Sequence, residues 1–384
     1  MSLSRPLSMA HFDMAIPHAA TSIKQMKEAG TKVVGHYCVM APQELILAAG
    51  AVPMALCATK EEPIADGEKA LPRNFCPLIK SSYGFAITDK CPFFLYSDLV
   101  MGETTCDGKK KMFELMSQCK PMVVMNLPPS YEREADKAYW LTEVERTKAV
   151  LEEQFNVTIT EEAIVEATKV LNAERRLVQS LAKTMQADPV PLSGLDLLKV
   201  LWSRNFVFDR AEFAAQVEEL IAELEERIQK GEGALPKGAK RIIVTGVPTG
   251  LGAEKVLRLL EESGAAIVYI ENCAGMKQFL TEVDESKEPL QGVADKYLAT
   301  PCSCMSPNKT RLELLAQLVD EYNADGVVDI TWQGCHTYNV ESRILREYLQ
   351  EKKGTPFLHI ETDYSQGDSE QLKTRIQAFL EMIA

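Results

Sequence analysis

The sequence predicts an α/β protein: two half-domains built on parallel sheets and joined by a helical bridge. Three observations predict it. Short apolar runs rich in Val, Ile and Met alternate with runs of helical period toward both ends of the chain. From about residue 132 to residue 230 that alternation stops, and charged residues recur among Leu, Val and Ile at helical spacing. Cysteines fall where strands hand over to helices, and none lies between Cys119 and Cys273.

Residues 1 to 30 read as a helical lead-in that stops at Gly30. Lys32 to Tyr37 reads as a strand with Cys38 at its carboxyl end. Pro42, which has no N–H to lose in a first helical turn, opens a helix over Gln43 to Ala49. Ala51 to Cys57 is a second short strand, and Glu61 to Ala70 an exposed polar connection. Cys76 precedes Pro77 and a helix running to Phe85. Phe93 to Met101 reads as a buried strand and Lys111 to Cys119 as a helix, with Cys106 in the turn between them. Met122 to Leu127 closes the first half. The bridge breaks near Asp188 to Gly194. Beyond it, Arg241 to Gly246 and Ala265 to Glu271 read as strands around a helix over Ala253 to Glu262, with Cys273 directly after the second strand. Gly275 to Tyr297 is polar, and Tyr297 to Pro301 leads to Cys302 and Cys304. Asn308 is placed to cap a helix over Arg311 to Tyr322. Asp325 to Thr331 is a strand followed by Cys335, Tyr338 to Leu349 a helix, Phe357 to Glu361 a last strand and Glu370 to Ile383 a closing helix. Alternation of this kind implies Rossmann/flavodoxin-like parallel sheets covered on both faces. The units divide at 1–131, 132–236 and 237–384.

At 384 residues, 46% hydrophobic and 25% charged, the chain has room for large cores and the composition of a soluble protein. A net charge of -13 and a pI near 5.1 argue against nucleic acid or an anionic membrane as the main partner, because both need a basic surface. No run approaches the roughly 18 uncharged apolar residues of a spanning helix, and Met1 to Pro17 lacks the basic-then-apolar order of a signal peptide. A cytoplasmic location is therefore expected. There, ten cysteines are buried residues, metal ligands or redox groups rather than a disulfide framework. No C-x-x-C pair occurs, and Cys302 with Cys304 is the one close pair. That counts against a zinc ribbon, not against a cluster gathered from distant turns.

A lone cysteine is most often a small buried hydrophobe. That reading suits Cys57. Cys119 has no supporting neighbours, and Cys91, before Pro92, faces the wrong end of its strand. Cys38, Cys76, Cys106, Cys273, Cys302, Cys304 and Cys335 remain. A thiol at a helix start meets unpaired N–H groups and the positive end of the dipole, and Cys106 also has Lys109 to Lys111 beside it. These favour the thiolate, the form that binds metal. Thiolate-only ligation suits an iron–sulfur cluster better than zinc. Ligands of open parallel sheets bind beyond the carboxyl ends of the strands, so two facing halves would bring these thiols into one cleft. His36 and His336 flank Cys38 and Cys335 and are candidate proton donors near a metal-bound substrate. Glu44, Glu103 and Glu271 read first as solvated carboxylates or dipole partners, with Glu44 carried forward as a candidate catalytic group. Lys109 to Lys111 read as a solvated helix start or, near a cluster, as charges that balance it, bind phosphate or dock an acidic redox partner. Gly102 to Lys109 and Gly246 to Gly252 both miss the glycine spacing of nucleotide loops, so any ATP is expected on another protein.

With those residues set out, the chain resembles the 2-hydroxyacyl-CoA dehydratase family, which includes benzoyl-CoA reductase subunits and the double-cubane cluster proteins. The resemblance is carried by Gly35-His36-Tyr37-Cys38 with Pro42-Gln43-Glu44-Leu45, the run Cys76 to Gly84, Thr104 to Lys111, Glu271-Asn272-Cys273, Asp325 to Val328, Cys335 to Tyr338, Glu361 to Tyr364, and Thr374-Arg375. It implies oxygen-sensitive iron–sulfur chemistry fed with low-potential electrons by an ATP-hydrolysing activator of the acetate-kinase/Hsp70-like class. In the dehydratases three cysteines hold one 4Fe-4S cluster, and Cys38, Cys106 and Cys335 match those positions. The further thiols Cys76, Cys273 and Cys304, with Cys302 as the alternative to Cys304, supply what two sulfide-bridged 4Fe-4S cubanes need. The resemblance therefore favours the double-cubane branch: a homodimeric, ATP-dependent reductase of a small molecule, with the cluster in the cleft between the halves. The alternatives are a 2-hydroxyacyl-CoA dehydratase component with one 4Fe-4S cluster and, from another class, a non-catalytic cluster carrier or zinc-binding protein.

Overall fold

The computed structural model describes residues 5–56 and 58–383; Cys57, assigned above to a core strand, lies outside the described residues. Eight strands run in chain order as β1 (Lys32–His36), β2 (Ala51–Ala55), β3 (Leu99–Glu103), β4 (Met122–Met125), β5 (Arg241–Gly246), β6 (Ala266–Glu271), β7 (Gly326–Trp332) and β8 (Phe357–Thr362). The first half contributes helices α1 (Met9–Glu28), α2 (Gln43–Ala48), α3 (Ile64–Gly67), α4 (Pro77–Ala86), α5 (Pro92–Leu95) and α6 (Asp107–Met116). Four helices follow without a strand: α7 (Glu134–Phe155), α8 (Glu161–Thr184), α9 (Gly194–Ser203) and α10 (Arg210–Lys230). The second half adds α11 (Lys255–Glu262), a short 3-10 turn over Met276–Phe279, α12 (Pro289–Leu298), α13 (Lys309–Glu321), α14 (His336–Lys353) and α15 (Ser369–Met382).

All strand pairs are parallel. The sheets have the orders β2-β1-β3-β4 and β6-β5-β7-β8, the same order twice. Each sheet is covered on both faces, which is why its strands read as continuous apolar runs. In the first, Val33, Met54 and Val100 face a core shared with α4 and α6, while Val34, Leu99 and Met101 face a second core with α2 and α7. Doubly wound sheets of this order open a crevice where the winding reverses, beyond β1 and β3 in one half and beyond β5 and β7 in the other.

Helix α8 ties the halves together. Its Arg175 donates to Glu44 on α2 at 2.6 Å, and its Asn172 donates to the carbonyl of Val283 at 2.9 Å. The halves also touch directly. The Thr59 hydroxyl donates to the carbonyl of Leu251 at 2.6 Å, and Gly334 lies against the turn before Cys76, where a Cβ would stand 2.5 Å from the Asn74 carbonyl. With φ +77 in addition, position 334 suits glycine on both counts.

Several sequence expectations need correction. The apolar run from Phe93 is two elements: Pro92–Leu95 forms helix α5, and the strand begins at Leu99. Pro92 at the first helical position favours the turn, and the Asp98 carboxylate between them accepts from the N–H of Val33 at 2.8 Å, so the two segments cannot be one strand. Cys91 is therefore the residue preceding a helix rather than a strand. Helix α6 starts four residues earlier than its apolar pattern indicated, because Cys106 itself caps it. The polar stretch from Glu61 holds α3, packed so closely on α4 that a Cβ on Gly67 would meet the Lys80 carbonyl at 2.1 Å. The polar stretch from Gly275 holds the buried Met276–Phe279 turn and α12. Asn308 makes no side-chain cap; its amide donates instead to Glu341 at 2.6 Å.

Candidate metal centre

Loops that follow the strands of both sheets enclose a cavity of about 510 Å³. Its wall includes all seven thiols singled out from the sequence: Cys38, Cys76, Cys106, Cys273, Cys302, Cys304 and Cys335. Cys91 and Cys119 are not on it, and Cys119 is exposed.

The thiols are placed by two kinds of local structure. Cys76, Cys106 and Cys335 each occupy the N-cap position of a helix, α4, α6 and α14 respectively. Pro77 at the first position of α4 is suited to that start, and the Cys106 sulfur accepts from the N–H of Lys109 at 3.4 Å. These thiols meet the positive ends of helix dipoles. Cys38 and Cys273 instead lie two residues beyond β1 and β6, and Cys302 and Cys304 lie in the connection from α12 to α13.

Electrostatics divides the thiols in the same way. Cys273 donates a hydrogen bond to Cys38 and, against the upward push of burial and with help from Lys109, holds the Cys38 thiol down to about 5. Cys304 does the same for Cys302, lowering it, and the two donors Cys273 and Cys304 are raised by that role and by burial. Burial raises Cys76 and Cys335, Cys335 to about 11; Cys76 is raised further by Cys335 and Cys106, and Cys335 by Cys106 and Cys302. The thiols thus group as Cys38, Cys273, Cys302 and Cys304 beside Cys76, Cys106 and Cys335, with Cys302 acting on both groups.

The candidate proton carriers have different fates. His36 is buried on the cavity wall, and burial followed by the nearby Arg204 charge lowers it to about 4. Its Nδ1 lies 3.2 Å from the Cys38 carbonyl, which can only accept, so the proton is on Nδ1; Nε2 faces the Gln43 amide at 3.4 Å. Both ring nitrogens are engaged in fixing the Cys38 turn. His336 stands exposed at the start of α14, on the cavity rim. Glu44 is fully buried off the cavity wall; burial pushes its carboxyl up, but Arg175 and Lys296 outweigh that and hold it below its usual value.

Of the two readings of the three carboxylates, solvation fails, for Glu44, Glu103 and Glu271 are all fully buried, whereas Glu44 does lie in the first turn of α2, the place of a dipole partner. Glu271 is matched by Lys277 at 3.0 Å, Arg311 at 3.4 Å and the Thr245 hydroxyl. Neither oxygen of Glu103 has a hydrogen-bond partner, and burial, then the charge of Cys38, raises it well above a normal carboxylate. The period-2 alternation with Leu99 and Met101, which face an apolar core, was the sequence signal for this burial. Lys277, Arg311, Trp202 and Trp332 were missed, and no spacing marked them.

The donor set fits a polynuclear cluster. No three His, Cys, Asp or Glu side chains among the described residues converge closely enough to hold a single ion. The thiols ring a space far larger than one ion needs, and thiolates are the ligands of iron–sulfur clusters. The family model described as 2-hydroxyglutaryl-CoA dehydratase, D-component, matches residues 38–383. The chain belongs to that family. The Escherichia coli (strain K12) protein YjiM, whose designation as a dehydratase subunit is itself provisional, is 45% identical over 98% of both chains. The (R)-phenyllactyl-CoA dehydratase beta subunit of Clostridium sporogenes is 24% identical over 94% of each, and a benzoyl-CoA reductase subunit of Thauera aromatica 21% over 94% of each. The dehydratase family thus spans subunits named for a lyase and for a reductase. No described helix is long and apolar enough to cross a membrane.

Proposed function

We propose that this chain is the iron–sulfur component of a reductase in the 2-hydroxyglutaryl-CoA dehydratase family, holding two linked 4Fe-4S cubanes and reducing a small substrate in the cleft. One observation carries the reading: Cys76, Cys273 and the Cys302/Cys304 pair share a single cavity with Cys38, Cys106 and Cys335. A single cubane held by three thiols leaves the others without a role. The grouping above assigns one cubane to Cys76, Cys106 and Cys335 and the other to Cys38, Cys273 and one of Cys302 or Cys304. When bound, such a cluster supplies low-potential electron transfer and an iron site for substrate. The chain's own residues do the rest. Buried Trp202 and Trp332 give the cavity wall apolar surface, His36 fixes the carbonyl of Cys38, and His336 is the rim group placed to carry a proton. The electron source in this reading is a separate ATP-hydrolysing activator of the acetate-kinase/Hsp70-like class, and the protein works in the cytoplasm as a homodimer.

A second reading, a 2-hydroxyacyl-CoA dehydratase component with one cubane on Cys38, Cys106 and Cys335, is favoured by the dehydratase names of relatives that match over nearly their whole length. Iron, sulfide and zinc per chain, measured on protein purified without oxygen and repeated with each of the seven cysteines changed to Ala, separate the two. About eight irons, dependent on six thiols, supports the reductase reading. About four irons dependent only on Cys38, Cys106 and Cys335 refutes it in favour of the dehydratase, and zinc without sulfide refutes both.

A further inference from the structure

The two groups of thiols obtain positive potential from different sources. Cys76, Cys106 and Cys335 sit at helix N-termini, and the Cys106 sulfur also accepts from the N–H of Lys109. The other group has no such caps; it has lysines. Lys277 follows Cys273 by four residues in the buried Met276–Phe279 turn, behind the cavity wall. Its side chain is wholly inaccessible to solvent, and its ammonium acts on both Cys273 and Cys302. Lys109, buried at the start of α6, acts on Cys38 and Cys304 from the opposite half.

The position of Lys277 is over-determined. Its Nζ is 3.0 Å from Glu271 and 3.1 Å from the Tyr338 hydroxyl, and it lies 5.5 Å from the centre of the Tyr338 ring. Glu271 is held in turn by Arg311, which also engages Glu341 and lies 3.6 Å from Asp329. This network fixes the ammonium group beside the hydroxyl of Tyr338, which lines the cavity together with the seven thiols. Buried charge of this kind is barely screened by water. Surrounding charge and hydrogen bonding set the potentials of iron–sulfur clusters.

We propose that Lys277 is a positioning residue that sets the reduction potential of the centre held by Cys38, Cys273 and Cys302 or Cys304, making its reduced form more stable than the thiols alone would. The inference rests on the two-cubane reading above. It requires no contact between Lys277 and substrate. Lys109 acts on the same centre from the other half, so the two lysines bracket it.

The test is a mediated redox titration of the anaerobic, cluster-loaded full-length chain, followed by electron paramagnetic resonance, with iron counted on the same sample. Lys277→Met is expected to retain wild-type iron and move one midpoint downward by at least a tenfold change in the reduced-to-oxidised ratio, 59 mV for one electron. Lys277→Arg should restore most of that shift, which a merely structural role would not produce. If Lys277→Met fails to fold, Lys277→Gln removes the same charge while keeping a hydrogen-bond donor for Glu271 and Tyr338. Wild-type iron with a wild-type midpoint in Lys277→Met, or in Lys277→Gln where the first variant does not fold, overturns the proposal. About eight irons with no shift defeats the role of Lys277 and leaves the two-cubane reading standing. About four irons with a clear shift defeats that reading and leaves Lys277 as the tuning charge of a single cluster.

Discussion

Removing Arg175 should separate a structural Glu44 from a catalytic one. The Arg175 guanidinium is 2.6 Å from Glu44, with side-chain exposures of 5% and 0%, and Tyr297 donates to the other carboxylate oxygen at 2.8 Å. Changing Arg175 to Met leaves the buried Glu44 with the Tyr297 hydroxyl and the Lys296 charge, at a loss of about 3–5 kcal/mol for breaking a buried pair. At about 2 °C per kcal/mol for a chain of this size, the melting midpoint should fall by roughly 6–10 °C. Glu44→Gln combined with Arg175→Met removes both charges and should recover much of the loss. Thermal unfolding followed by circular dichroism, with iron content as a parallel reading, measures this. A fall of less than about 1 kcal/mol in the single variant would refute the claim that the pair is tightly coupled. Full activity in the double variant, whether reductase or dehydratase, would remove Glu44 from the catalytic list; loss of activity with stability and iron restored would return it. The pH dependence has a definite sign. The folded Glu44 carboxyl lies below its ordinary 4.5, so its stabilising contribution is present above about pH 4.5 and is lost as pH falls through the lower folded value.

Other outcomes follow from the same geometry. His36, lowered to about 4, should stay neutral from pH 8 to pH 5 by nitrogen NMR, and its contribution to stability should decline as pH falls from about 6.5 toward 4, where the unfolded state takes up the proton first. Gly334→Ala places a Cβ 2.5 Å from the Asn74 carbonyl at positive φ, so it should lower stability by roughly 1–3 kcal/mol and reduce iron per chain by forcing the Cys335 and Cys76 turns apart; unchanged iron would contradict that coupling. Glu103→Gln, which keeps the shape of a neutral carboxylic acid, should leave the unfolding free energy near neutral pH within about 0.5 kcal/mol of wild type, whereas a large loss would mean that Glu103 is folded as a carboxylate.

Most of the architecture was legible because buried parallel strands are hard to disguise. Val33-Val34 and Val327-Val328 are apolar on both faces, and the cysteines that follow them fall where ligand crevices form. The failures share a cause, in that tertiary partners replaced the cues used to read the chain. Phe93 to Met101 reads as one apolar run although Ser97 and Asp98 interrupt it; the break they mark is made by Pro92 at the helix start and by the hydrogen bond from Val33 to Asp98. Glu44, Glu103 and Glu271 read as solvated carboxylates or dipole partners because Arg175 and Arg311, which meet two of them, arrive from 131 and 40 residues away, and Lys277, though close to Glu271 in sequence, has no spacing that marks the pair. The division of the thiols into two groups was invisible as well, since spacing along the chain says nothing about which sulfur faces which.

On the proposed grouping each set of thiols straddles the two halves: Cys76 and Cys106 wait for Cys335, and Cys38 waits for Cys273 and its neighbour at 302 or 304. A ribosome that has released only the first sheet has produced three scattered thiols and no complete site. On that grouping neither ligand set is complete until residues well into the second half have been made, Cys302 or Cys304 for one and Cys335 for the other. A chain truncated before β5 carries only Cys38, Cys76 and Cys106 of the seven thiols and is expected not to retain iron.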